Sequence, residues 1–167
     1  MNRTKITLIA IALICMGLLG FAMYLQIVEK MLPCPYCVLQ RYAFVAVFFS
    51  CLIALAMPRA MHRIGFGMGL ISSLIGAGIA GKHVWILANP EVSCGIDPIE
   101  TGLNKIFFAR ALPTLFKADG LCDTPYPPIL GLSMPAWALI WFVIFALVLG
   151  VTFFAKKKAR ELFGKGH

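Results

Sequence analysis

Four long apolar stretches dominate the chain and set its fold class. They cover residues 6–28, 38–57, 64–88 and 135–155, and each is nearly free of charged side chains. A hydrocarbon core about 30 Å thick is crossed by about 20 helical residues. The pattern therefore predicts an all-α membrane protein, a bundle of four transmembrane helices, with residues 1–167 forming a single integral membrane domain.

The first apolar stretch follows two basic residues, Arg3 and Lys5, as the apolar part of a secretory signal would. It is longer than the roughly 7 to 15 apolar residues of a signal peptide, and no small-residue cleavage site clearly follows it. We therefore interpret it as a helix that is retained.

The segments between these stretches are a short connection at 29–37 and a long one at 89–134. Apolar residues recur in the long segment at spacings of three and four, which predicts a short helix lying on the membrane surface and interrupted at Pro113. These residues are Leu103, Ile106, Phe107, Ala111 and Phe116. In the third apolar stretch, small residues recur at every fourth position and predict close helix packing. They are Gly65, Gly69, Ser73, Ala77 and Gly81.

Composition and charge support a membrane protein and give it an orientation. The chain is 60% hydrophobic and 13% charged, with a formal net charge of +8, whereas soluble proteins carry about 25% charged residues. Nine of the fifteen basic residues lie at the termini and at the 58–63 turn, whereas six of the seven acidic residues lie in the 29–37 and 89–134 loops. By the positive-inside rule, the termini are cytoplasmic and the two loops face outward. The same distribution argues against nucleic-acid binding, because the positive charge flanks membrane helices.

The cysteines divide into two groups. Cys15 and Cys51 lie inside predicted helices, where a thiol is usually a buried and inert apolar group. The others all fall in the outward loops, on the side where disulfides persist in bacteria. They are Cys34, Cys37, Cys94 and Cys122.

Three interpretations of the loop cysteines are open. Two structural disulfides would suit Cys94 and Cys122, which span a long loop. They suit Cys34 and Cys37 poorly, because a bridge across two residues constrains little chain and is readily reduced, so that pair is predicted to be redox-active. A closed zinc site would need all four thiolates to converge and stay reduced on an oxidising face, and it is the least favoured.

The residues around Cys34 and Cys37 suggest how this pair could react. Pro35 favours a helix start at about 35–38, which places Cys37 in the first turn, where the helix dipole favours a thiolate. Arg41 follows one turn later on the same face. It could stabilise that thiolate, hydrogen-bond an oxygen-bearing ligand in the membrane, or simply extend to the headgroups. Lys82 and His83 lie at a similar depth, and His83 is favoured as the inward-facing residue.

Several motifs together resemble the DsbB (disulfide bond formation protein B) family of bacterial inner-membrane thiol oxidases. They are "LPCPYCVLQRY" at the second helix, "GKHVW" in the third, "SCG" and "ALPTLFKADGLCD" in the long loop, and "LGLSMPAWAL" at the fourth helix. The resemblance covers most of the chain. One departure is "TPYPPI" after the last loop cysteine, where the family often has a tryptophan. This difference affects what the resemblance implies about docking of the partner protein, and it does not affect the relay.

The resemblance implies a relay that starts at the periplasmic side of the inner membrane. A reduced thioredoxin-fold protein of the DsbA type would form a mixed disulfide with Cys94, whose partner is Cys122. Electrons would then pass to Cys34 and Cys37, and from Cys37 to ubiquinone, or to menaquinone. Arg41 matches the family's quinone-site arginine, and His83 resembles a histidine near the same quinone.

Two rival functions remain at this point. One is a non-catalytic membrane protein with two structural disulfides. The other is a metal carrier or sensor that uses the cysteines and His83.

Overall fold

A computed structural model describes residues 3–58, 62–89, 98–120 and 126–163. Seven helices lie in these ranges, and the described residues contain no β-strand beyond an isolated bridge between Ile129 and Leu132. The helices are α1 (Arg3–Ile27), α2 (Pro35–Ala56), α3 (His62–Ala88), α4 (Pro98–Lys105), α5 (Phe107–Ala111), α6 (Pro113–Phe116) and α7 (Met134–Phe163).

Four helices are long and apolar enough to cross a membrane, which confirms the predicted fold class. They are α1, α2, α3 and the Met134–Phe154 part of α7. Many large apolar side chains on them face outward, including Leu13, Leu74 and Val151. Such faces are stable in lipid, where hydrocarbon tails replace water. The cytoplasmic placement of the termini stays a prediction.

The helices pack in the order α1, α2, α3, α7. Helix α2 packs against α1 and α3, α3 also packs against α7, and α1 and α7 make little direct contact along their described residues. Aromatic residues fill the interior between α2 and α7: the Phe44 ring stacks on Phe142 at a centroid distance of 4.1 Å and meets Phe145 edge-on at 6.4 Å. The bundle is therefore a row of helices that leaves a gap between its first and last members.

Small residues on α3 allow this close packing, as predicted. A Cβ added to Gly65 would collide with Ala54 of α2, and one added to Gly76 would overlap the Phe142 ring of α7. The contact face differs from the predicted stripe, however, because Gly76 is in it and Gly81 has open space beside it. A helix turns once in 3.6 residues, so a strict four-residue stripe drifts around the helix over several turns.

The described part of the long loop packs on the N-terminal half of α2. It forms three short helices, α4 to α6, where the sequence predicts one interrupted helix, and α6 begins at Pro113. An apolar cluster joins this loop to α2; its buried residues are Val38, Leu103, Ala109, Phe116 and Ala118. Asn104 closes the loop with two hydrogen bonds to the backbone of Ala118. Phe107 is 75% exposed, and its contact with a membrane surface stays a prediction.

Candidate functional site

The first cysteine pair lies where α2 begins. Cys34 is the N-cap residue with an extended backbone (φ −74°, ψ 164°), and Pro35 occupies the first helical turn, as the sequence predicts. The Cys34 sulfur accepts a hydrogen bond from the backbone N–H of Cys37 at 3.2 Å. The two Sγ atoms are 2.8 Å apart. Local helix capping therefore brings the two sulfur atoms together.

The two cysteines have different surroundings. Cys34 is 2% exposed and packs in a small apolar cluster with Tyr36 and Ile86. Cys37 is partly exposed and lines a cavity. One sulfur of the pair therefore faces the protein interior, and the other faces an open volume.

Arg41 lies one turn further along α2 and is almost fully buried. Its Nη1 atom donates to the Gln26 side-chain oxygen at 2.7 Å and to the Leu115 carbonyl at 2.9 Å. Its Nη2 atom is 3.5 Å from the Ala22 carbonyl. A guanidinium carries five N–H groups, more than these contacts use. Arg41 therefore does not extend to the headgroups, and it is held in place with donor capacity for a further acceptor.

Cys37 and Arg41 share the wall of a cavity of about 320 Å³. The cavity occupies the gap between α1 and α7, with α2 at its back. Most of its wall is apolar, and the polar exceptions include Gln26 and Gln40. Aromatic rings from α2 and α7 form much of the remainder, namely Phe44, Trp137 and Trp141. A cavity of this size, mostly apolar and with few convergent polar groups, is typical of a site for a small, largely apolar ligand.

His83 faces inward, which is the orientation favoured from the sequence, while Lys82 is exposed. The His83 Nε2 atom is 3.6 Å from the Cys34 sulfur, and its Nδ1 atom is 3.4 Å from the Gln40 amide nitrogen. The Lys82 ammonium instead lies over the Tyr36 ring, 5.7 Å from its centroid. His83 is not among the described residues that line the cavity.

The second cysteine pair, Cys94 and Cys122, lies outside the described residues. The chain just before Cys122 is described, and it docks beside the first pair. The backbone N–H groups of Asp119 and Gly120 both donate to the Pro33 carbonyl at 3.1 Å. A Cβ at Gly120 would collide with the Leu32 carbonyl oxygen, so this close approach requires glycine.

Tyr126 fixes the chain on the other side of Cys122. Its hydroxyl donates to the Leu32 carbonyl oxygen at 3.1 Å, and its ring lines the cavity. Burial raises the pKa of Tyr126 above its usual value, and the nearby Cys37 and Cys34 add to that effect. The phenol is therefore neutral at physiological pH and able to donate.

Sequence reasoning missed Gln26, Gln40 and Tyr126. The two glutamines carry a signal that could have identified them, because a polar side chain at the end of an apolar stretch, or one residue from an intramembrane arginine, is rarely without a partner. Tyr126 carries no such signal, since its role depends on a contact with Leu32 that only the folded chain creates.

The ligand atoms of Cys34, Cys37 and His83 lie within 4.8 Å of one another, so a metal ion must be considered. Two thiolates on a tetrahedral zinc ion, each about 2.3 Å from the metal, would stand about 3.8 Å apart. The two sulfur atoms here are 2.8 Å apart, which is about 1 Å too short for two ligands of one zinc ion and within about 1 Å of the S–S bond length of about 2.05 Å. The geometry suits interconversion of a dithiol and a disulfide better than a metal centre.

Comparison with known proteins identifies the family. The model of the family "Disulfide bond formation protein DsbB" matches residues 4–152. "Disulfide bond formation protein B" of Herminiimonas arsenicoxydans is 53% identical over 157 residues, which is 94% of this chain and 99% of that protein. The protein of the same name from Ralstonia nicotianae is 49% identical over 148 residues, covering 89% of this chain and 92% of the relative. The chain therefore belongs to the DsbB family, and it is a membrane-spanning disulfide oxidoreductase.

Proposed function

We propose that this protein is a thiol oxidase of the bacterial inner membrane that reoxidises a periplasmic thioredoxin-fold dithiol of the DsbA type. Two electrons pass from that partner through Cys94 and Cys122 to Cys34 and Cys37, and from Cys37 to a membrane quinone. Ubiquinone is the expected acceptor, with menaquinone as the alternative. Arg41 binds a quinone oxygen.

The observation that carries the proposal is the shared wall of the cavity. The reactive side chain of Cys37 and the guanidinium of Arg41 border the same apolar volume, and the Cys34 sulfur lies directly behind Cys37 at 2.8 Å. A quinone head group is a flat ring with two carbonyl oxygens, and it needs aromatic walls and a hydrogen-bond donor. Trp137, Trp141 and Arg41 provide them. When bound, the quinone supplies an acceptor for two electrons and two protons.

The residues of the chain prepare the sulfur atoms for this reaction. Cys37 lies in the first turn of α2, where the helix dipole and the positive charge of Arg41 favour the thiolate. The apolar wall excludes water, so the charge of Arg41 acts at short range in a medium of low polarity. Gln26 and the Leu115 carbonyl hold the guanidinium in position before any ligand arrives.

The docking of Gly120 on Pro33 supports electron transfer between the two cysteine pairs. Cys122 follows Gly120 by two residues, and two residues of chain reach at most about 7 Å. Cys34 follows Pro33 directly, so the docked segment ends two residues before Cys122 and next to the residue that precedes Cys34. Transfer then proceeds by thiolate attack on a disulfide: one S–S bond forms as another breaks, and the displaced sulfur leaves as a thiolate.

Replacement of Cys37 tests the proposal. In the Cys37→Ser variant, we expect quinone-dependent oxidation of a reduced thioredoxin-fold partner to fall to background, because no sulfur faces the cavity. Activity is followed as quinone reduction by purified protein in detergent, with thermal unfolding to confirm the fold. Cys51→Ala is the matched control, since Cys51 is buried in the core away from the cavity, and it should retain turnover.

Unchanged turnover in Cys37→Ser would contradict the mechanism. Loss of turnover with stoichiometric zinc in the wild-type protein, and with reduced loop cysteines, would instead favour the metal carrier.

A further inference from the structure

The position of His83 does not match a role at the quinone. Its imidazole lies on the interior side of the cysteine pair, with Nε2 3.6 Å from the Cys34 sulfur, and both residues are at most 3% exposed. The described wall of the cavity includes Cys37 and Arg41 but not His83. The geometry therefore associates the imidazole with the buried sulfur and separates it from the ligand volume.

Gln40 determines which imidazole nitrogen carries the proton. The Gln40 amide nitrogen is 3.4 Å from His83 Nδ1. An amide nitrogen only donates hydrogen bonds, so Nδ1 must accept, and a neutral imidazole then carries its proton on Nε2. That N–H points at the Cys34 sulfur.

The Cys34 sulfur has a second donor, the backbone N–H of Cys37 at 3.2 Å. This donor belongs to the first turn of α2, whose unpaired N–H groups attract negative charge. Two N–H groups from different helices thus converge on a single buried sulfur atom. Such an arrangement stabilises a thiolate, because hydrogen bonds to a charged acceptor are stronger than those to a neutral thiol.

We infer that His83 is a catalytic residue that holds Cys34 as a thiolate through its Nε2–H group, and that Gln40 is the positioning residue that fixes this tautomer. The inference rests on the proposed function and deepens it. It replaces the cofactor-binding role that the family resemblance implies for His83.

The step served by His83 is closure of the first disulfide. The Cys34 thiolate supplies the nucleophilic sulfur for this bond. Overall, the dithiol loses two electrons and two protons as its two S–H bonds are replaced by one S–S bond, and a bound quinone would take up both electrons and both protons. His83 keeps its Nε2 proton throughout, because it donates a hydrogen bond and transfers nothing. Its contribution is a larger thiolate fraction at Cys34 at neutral pH.

Other charged and titratable groups also surround this sulfur pair, and the test must separate them from His83. Arg41 and Tyr126 interact electrostatically with both cysteines, and Lys82 lies over the neighbouring Tyr36 ring. Lys82 gives a useful control, because it adjoins His83 on α3 and its ammonium packs on a ring.

The first measurement is a pH titration of the Cys34 thiolate by its ultraviolet absorbance in the full chain. Cys34 is made the sole cysteine by replacing Cys15 and Cys51 with Ala and Cys37, Cys94 and Cys122 with Ser. We expect His83→Asn to raise the titration midpoint by about one pH unit, the effect of losing one hydrogen bond to a charged group. His83→Gln should raise the midpoint by less than His83→Asn, because the glutamine amide N–H reaches the position of Nε2.

Two further variants complete the titration. Gln40→Leu should raise the midpoint by less than His83→Asn, since the imidazole remains but its tautomer is no longer fixed. Lys82→Gln should shift the midpoint less than His83→Asn. The inference would be overturned if the titration midpoint of Cys34 did not move in His83→Asn, or if it moved by the same amount in Lys82→Gln.

The second measurement uses the chain with all native cysteines and separates this inference from the proposed function. His83→Asn should lower the quinone-dependent kcat at neutral pH by roughly tenfold, leave the quinone KM nearly unchanged, and recover at higher pH. A raised KM with an unshifted titration would assign His83 to the quinone and overturn the inference. The titration needs no quinone, so it remains decisive even if the chain turned over no quinone at all.

Discussion

The sulfur atoms of Cys34 and Cys37 lie close together at the start of α2, but their surroundings differ. Cys34 caps α2, is buried, accepts a hydrogen bond from the backbone N–H of Cys37, and lies 3.6 Å from His83 Nε2. Cys37 lines the cavity that Arg41 also borders. Pro35 begins the helix immediately after Cys34, so Cys34 is the N-cap residue and Cys37 lies in the first helical turn. The two sulfur atoms of the pair therefore have different environments, one in the protein interior and one at the cavity.

Tyr126 gives a prediction at the scale of a single hydrogen bond. The Tyr126→Phe variant should lose about 1 kcal/mol or less of stability, because its hydroxyl no longer donates to the Leu32 carbonyl. The melting temperature in detergent at neutral pH should fall by about 2 °C. Tyr24→Phe is the control, since Tyr24 is exposed on α1, and it should melt as the wild type does.

The same contact should depend on pH with a defined sign. The pKa of Tyr126 is raised in the folded protein, so its contribution is fully present below the unfolded value of about 10 and is lost as the pH rises through the folded value. The difference in melting temperature between wild type and Tyr126→Phe should shrink above about pH 10. A difference that stays constant there would show that the hydroxyl contributes by another route.

Sequence reasoning identified the chemistry of individual residues better than their partners. Cysteine spacing, Pro35 and the depth of Arg41 were enough to predict a dithiol at a helix start with a cation beside it. The contacts of Gln26 with Arg41 and of Gln40 with His83 were not predictable, because they join residues from different helices. A periodic pattern tells which face of a helix is inward, and it does not tell which side chain stands opposite.

At the scale of helices, close packing of α3 depends on missing side chains. Gly65 lies against Ala54 of α2, and Gly76 lies against the Phe142 ring of α7. In lipid, such contacts supply the van der Waals attraction that holds helices together, since hydrophobic exclusion from water contributes little there. The third helix is therefore the central element on which two others pack.

A matched pair of glycine substitutions tests this role of α3. Gly76→Ala should destabilise the protein by about 1 to 3 kcal/mol, because the new methyl group overlaps the Phe142 ring. Its melting temperature should drop by roughly 5 °C. Gly78→Ala has nothing within 4 Å, so it should be neutral or slightly stabilising. Equal effects of the two substitutions would contradict this packing.

Predicted and observed helices agree in number and order, and they differ most at their ends. The apolar stretch 135–155 marks the fourth spanning helix, yet α7 continues to Phe163. The reason is physical: the added residues are mostly lysine, arginine, alanine and leucine, which favour helix but are too polar together to enter the apolar pattern. The long loop also differs from its prediction. Its apolar spacing predicts one helix interrupted at Pro113, and the chain forms three short helices there.

At the scale of the whole molecule, the charge distribution predicts which end of the bundle faces outward. We expect a cysteine at Glu29 to react with a membrane-impermeant maleimide in intact cells, and a cysteine at Pro58 to react only after the membrane is permeabilised. Both positions are exposed, and the native cysteines are replaced beforehand. The reverse labelling pattern would place the first cysteine pair on the cytosolic side and contradict the proposed relay.

The row of helices, with α1 and α7 left apart, bears on how an electron acceptor is delivered. Under the proposed function, an isoprenoid tail would remain among the acyl chains while the ring entered between these two helices, so neither arrival nor departure would require passage through water. Supply would then be set by lateral diffusion in the bilayer and by the local abundance of the oxidised pool. A quinone analogue without a tail would not be concentrated in the membrane. A covalent crosslink between α1 and α7 would block the gap between them without altering either sulfur atom.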